Sequence, residues 1–62
     1  MSDTQLTQIE ADLYDLDETV IMLRNELERT DHPDRQEQMR AEIRAAQVEI
    51  TRLEAVLQAA GQ

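Results

Sequence analysis

Residues 6–27 read LTQIEADLYDLDETVIMLRNEL, and the spacing of their apolar side chains decides the fold. Leu6, Ile9, Leu13, Leu16, Val20, Leu23 and Leu27 follow one another at intervals of 3, 4, 3, 4, 3 and 4. That is a heptad seam, with Leu6, Leu13, Val20 and Leu27 at a and Ile9, Leu16 and Leu23 at d. A half-buried strand alternates with period two, and a lone surface helix carries a wider stripe of period 3.6. The stretch therefore predicts a helix built to lie along another helix.

The partner is in the same chain. Met39, Ile43, Ala46, Ile50, Leu53, Leu57 and Ala60 repeat at 4, 3, 4, 3, 4 and 3. Extending the first seam through the intervening residues puts its a positions on Asp34, Ala41 and Val48, two residues out of phase with the second. The two seams thus belong to two helices. Between them lies Thr30-Asp31-His32-Pro33-Asp34, the one stretch with turn chemistry, where Pro33 disfavours helical geometry at His32. Ser2 and Gln5 form a capping-box pattern, which places helix 1 at about residues 3–30. Asp34 with Glu37 supplies a cap for helix 2 at about 35–60, after a turn at 31–34; Asp31 is a competing cap that would put Pro33 in the first turn. Gly61 is placed to end the second helix.

So short a connection makes the helices antiparallel neighbours. Residues whose numbers sum to 66 then meet: Leu27 with Met39, Leu23 with Ile43, Val20 with Ala46 and Leu16 with Ile50. Leu13 with Leu53, Ile9 with Leu57 and Leu6 with Ala60 complete the ladder. Each rung joins an a residue to a d residue, as antiparallel packing requires. The expected fold is all-α, an antiparallel two-helix hairpin of coiled-coil type forming one domain over residues 1–62.

A chain of 62 residues rarely buries enough core to stand alone without a staple. It has no cysteine, one histidine (His32) and one aromatic residue (Tyr14), so neither disulfide nor thiolate site is available. Oligomerisation is the remaining stabiliser, most simply a homodimer forming a four-helix bundle. The apolar residues that the hairpin leaves over point the same way. Tyr14, Ile21 and Met22 lie off the seam, in a stretch (Val20-Ile21-Met22-Leu23) that is apolar all round. Ala41, Ala45, Val48, Ala55 and Ala59 make a second stripe on helix 2, which alanine's helix propensity explains equally well. Two like-charged pairs flank the seam, Glu10 facing Glu54 and Arg24 facing Arg40, and a second hairpin could supply the complement.

Charge bounds the partners. The chain carries −8, and all of it sits on residues 1–34, where ten acids meet only Arg24 and Arg29. Such a surface repels phosphates, which argues against nucleic acid and anionic membranes. All six cations are arginine, a bias that fits a halophile's surface and a GC-rich genome equally. Glu10, Asp12, Asp15, Asp17 and Glu18 form an acidic cluster. It reads as a solvated helix face near the positive end of the helix dipole, or as a docking patch for a basic protein surface. A calcium loop is excluded by the missing central glycine. No metal or cofactor is expected. Catalysis has no constellation to stand on, and a two-helix rod has no concave pocket, so the chain is not expected to be an enzyme.

The N-terminus lacks a basic region before an apolar run, and no stretch approaches the ~20 apolar residues of a membrane span. A cytoplasmic protein or virion component is expected. Three functions follow: a self-associating structural, scaffold or adaptor module; an acidic inhibitor or decoy occupying the basic surface of a nucleic-acid-binding protein; and a small export or assembly co-chaperone. For the last, size and helix–turn–helix layout resemble the co-chaperones that hold needle subunits in type III secretion, which implies a partner helix as cargo. The RNA-binding hairpins of plasmid copy control share the layout, but the −8 charge opposes that function.

Overall fold

Ser2 starts the first helix, in a computed structural model that describes residues 2–61. Its backbone is extended, its Oγ accepts from the Gln5 N–H at 3.2 Å, and Gln5 Oε1 accepts from the Ser2 N–H at 3.1 Å. This reciprocal pair satisfies two donors that a helix start otherwise leaves to water. Helix α1 then runs Asp3–Arg29, and Thr30 leaves helical geometry with φ −97° and ψ 127°.

Helix α2, Pro33–Ala60, begins two residues earlier than the Asp34 cap would have it. His32 occupies the cap position, in extended geometry and without a side-chain hydrogen bond. Pro33 is the first helical residue, where a missing N–H costs nothing and a fixed φ is already right. Asp34 falls inside the first turn, where its charge meets the helix's positive end. The connection shrinks to Thr30, Asp31 and His32. At the far end the Gly61 N–H donates to Leu57 O at 2.9 Å with right-handed backbone, so glycine's left-handed freedom is not used.

The two helices pack against each other as an antiparallel hairpin. Val20, Ile43 and Ala46 are its buried centre, with Leu16, Leu23, Leu27 and Ile50 packed around them. These are the middle rungs of the ladder read from the sequence. Met39 and Leu53 are buried as well. The ladder fails at one rung: Ala60 is exposed. Its methyl group is short, and among the described residues no further rung lies beyond it. Val56 is instead half-buried there and shares a hollow with Ile9.

One rung beyond Leu27 and Met39, the same sum of 66 pairs Thr30 with Gln36. Both are half-buried, and Gln36 Nε2 donates to the Thr30 carbonyl at 2.6 Å. The bond satisfies a carbonyl at the end of α1 and ties it to the first turn of α2. Gln36→Ala removes the donor, and we expect a loss of ~1 kcal/mol in denaturant unfolding. An unchanged midpoint would show that the rung is idle.

The result is a rod of 45 × 14 × 11 Å. Its radius of gyration is 14.3 Å, against about 10.6 Å for a compact chain of this length. Twenty-eight helical residues at ~1.5 Å each account for the length of the rod.

Candidate interaction surfaces

The seam fixes which way every other side chain points. A hairpin has two broad faces, each shared by both helices, and two backs, each belonging to one helix. On one broad face lie Glu10, Tyr14, Asp17, Ile21 and Arg24 of α1, beside Arg40, Arg44, Gln47 and Glu54 of α2; we call it the Tyr14 face. The opposite face carries Asp12, Asp15, Thr19 and Met22 of α1 beside Ala45, Glu49 and Arg52 of α2; we call it the Asp12 face.

Tyr14, Ile21, Met22 and Val48 remain 66, 58, 62 and 69% exposed, the largest apolar side chains left to solvent among the described residues. The hairpin does not bring them together. Tyr14 and Ile21 belong to the Tyr14 face, whereas Val48 shares the heptad position of Ala41 and Ala55 on the back of α2, beside a shallow hollow that Arg44, Gln47 and Thr51 also line. Met22 lies on the Asp12 face. Ala41 and Ala55, both exposed, follow the back of α2, whereas Ala45 and Ala59 lean toward the Asp12 face. The eight residues of the expected interface thus occupy several sides of the rod. Their heptad letters already carried this information: two residues one apart, such as Ile21 and Met22, diverge by ~100°.

The acidic cluster divides in the same manner. Glu10 and Asp17 point to the Tyr14 face, while Asp12, Asp15 and Glu18 climb in a slanting ridge on the other side. Asp12 alone of the five is half-buried; it accepts a hydrogen bond from Gln8 Nε2 at 3.0 Å. Asp12, Asp15 and Glu49 rim an open hollow of about 320 Å³ over Leu16, Thr19 and Leu53. No group of three or more His, Asp or Glu among the described residues is arranged to hold a metal ion. No helix among them is long and apolar enough to cross a membrane.

Charge pairing within the hairpin is sparse. Among the described residues the one ion pair joins Arg52 to Glu49, a turn apart on α2. The hydrogen bond from Arg52 holds the Glu49 carboxyl below its ordinary value; slight desolvation opposes this, and the charge of Arg52 adds to it. Any stabilisation from the pair is complete above the ordinary glutamate value and disappears as pH falls through the lowered one. Both side chains are well exposed, so the pair contributes little. Among the described residues, Arg24, Arg29, Arg35, Arg40 and Arg44 have no carboxylate within ion-pair distance.

Two features escaped the reading of the sequence. Val56 sits at a flanking position of the heptad, where it is half-buried and lines a hollow with Gln5, Gln8 and Ile9. Gln36 continues the ladder as a polar rung, and the sum of 66 with Thr30 was a signal available from the numbers alone. No protein-family model, curated protein or solved structure matches the chain.

Proposed function

We propose that this chain is a non-enzymatic interaction module that associates with itself, two hairpins forming a four-helix bundle that serves as a structural or adaptor element. The observation that carries the reading is a seam that its own fold does not cover completely. Among the described residues no side chain is fully buried, and Leu6, Ile9, Leu13, Leu16, Leu23, Leu27, Ile50 and Leu57 are only partly buried. The total accessible surface is 4954 Å². A compact monomer of 7.2 kDa exposes about 4,100 Å², which leaves an excess of roughly 800 Å². A specific protein–protein interface covers about that much on each partner. A second hairpin laid along the first supplies the missing cover and the missing stability together.

Sedimentation equilibrium on the purified chain tests the reading. The expected mass is twice the chain mass at micromolar concentration, with helicity that falls on dilution. A well-folded monomer under the same conditions overturns it.

A second reading, an acidic docking surface for a basic protein, has the rimmed hollow behind it. Carboxylates of Asp12, Asp15 and Glu49 around a floor of Leu16 and Leu53 suit a basic amphipathic helix. A chain that is monomeric alone, yet binds an arginine-rich amphipathic peptide through this face, favours the second reading over the first.

A further inference from the structure

Building on the self-association proposed above, we infer that the second copy docks on the Tyr14 face with its rod reversed, turn end over open end. Two independent features of the chain converge on this face and this orientation.

The first is charge. In the register of the hairpin, Glu10 stands beside Glu54 toward the open end, and Arg24 beside Arg40 toward the turn. All four are exposed, and none makes an ion pair among the described residues. Each like-charged couple is unfavourable at home and complementary to the other, which lies two heptads away, ~21 Å along the rod. Two face-to-face hairpins can be related by a two-fold axis lying along the rods or across them. An axis along the rods stacks Glu10 on the second copy's Glu54 and Arg24 on its Arg40, like upon like. An axis across the rods lays α1 on α1 and α2 on α2, reversed. It brings Glu10 to Arg24 and Glu54 to Arg40, twice over by symmetry. These four opposite pairs stand against one like pair, Asp17 with its own copy at the axis.

The second feature is the position of the exposed apolar residues. The charge pairs place the axis at residue 17 of α1 and residue 47 of α2. Tyr14 and Ile21 lie on either side of that point on α1, so Tyr14 of one copy meets Ile21 of the other. On α2, Gln47 stands at the axis and faces its own copy. Tyr14 and Ile21, two of the four large exposed apolar residues, are thereby gathered at the centre of the contact, with charges outside them. That is the usual anatomy of an interface, an apolar centre and a polar rim. The charges and the apolar residues were counted separately, and their centres agree to about one residue, ~1.5 Å.

The test compares the full-length chain with variants by sedimentation equilibrium. Glu10→Arg with Glu54→Arg sets four arginine–arginine contacts across a reversed dimer, and its dissociation constant should rise about tenfold or more. Adding Arg24→Glu and Arg40→Glu restores complementarity, and the constant should return to within about threefold of the parent value. Circular dichroism confirms that these exposed substitutions leave the helices in place. Because the chain lacks cysteine, Gln47→Cys gives an independent readout: placed at the axis, it should link to its own copy in oxidised glutathione. A parent dimer unaffected by the Glu10→Arg/Glu54→Arg change, or one in which Gln47→Cys fails to link, overturns the reversed arrangement but leaves self-association standing. A monomeric parent chain overturns both.

Discussion

Ile43→Ala is expected to unfold most of the chain at room temperature. Ile43 is buried at the middle of α2, against Val20, Ala46 and the leucines of α1. Truncating a buried isoleucine to alanine costs ~2–5 kcal/mol, because apolar burial is lost and the vacated space is not refilled. A hairpin of this size holds no more than ~3–5 kcal/mol in its core. The loss therefore rivals the whole stability, and helical circular dichroism should drop by more than half at low micromolar concentration. The matched control is Met22→Ala. Met22 is 62% exposed and lies away from both the seam and the proposed contact, so its truncation should shift stability by under ~0.5 kcal/mol. Parent-like melting of Ile43→Ala would mean that the buried centre does not hold the helices together.

The contrast between these two positions explains what could be read from the chain before its structure. Ile43 was legible because a heptad seam encodes a relation between residues: each seam position implies its neighbours three and four away, and the sum of 66 then names its partner. Alternative phases fail at once, since they put Asp34 or Arg52 into the core. Helix boundaries are governed by weaker terms. At the turn, Asp31 and Asp34 were the rival caps, and cap residues differ by only about 1 kcal/mol. The fixed φ of Pro33 decided the matter for His32, although His32 offers no capping hydrogen bond. Ala60 fits the seam by number, yet position in a pattern does not guarantee cover where the pattern ends. The surface was legible only in part. Exposure of Tyr14, Ile21, Met22 and Val48 follows from their lying off the seam. What occupies them does not follow from one chain's periodicity, because a partner's contribution is written in the partner. Self-association is the exception, since both faces of the contact are then encoded in the same sequence.

One inserted alanine after Ala45 should be more damaging than any single substitution. An added residue turns everything beyond it by ~100° about the helix axis. If the first half of α2 keeps its place, Ile50 and Leu53 leave the seam, and Glu49 and Arg52 arrive opposite Leu16 and Leu13. If the second half keeps its place and the turn absorbs the slip, Arg44 and Arg40 arrive opposite Leu23 and Leu27. Either choice carries two charged side chains into the rungs and removes two apolar ones. Each misplaced rung forfeits ~1.5–3 kcal/mol of burial before any desolvation cost, so the total exceeds what the hairpin can lose. The same insertion made in the connection, a glycine between Asp31 and His32, leaves both seams in phase. Lengthening a three-residue link by one adds about 0.3 kcal/mol of closure entropy, and the melting curve should stay close to the parent's. Circular dichroism melts of the two insertion variants, made side by side, separate a structure held by register from one held by helix propensity. A helix stable by propensity alone would take the alanine without notice, alanine being the best helix former. Loss of the cooperative transition in the Ala45 insertion, with its retention in the turn insertion, is the outcome that the ladder of paired residues requires.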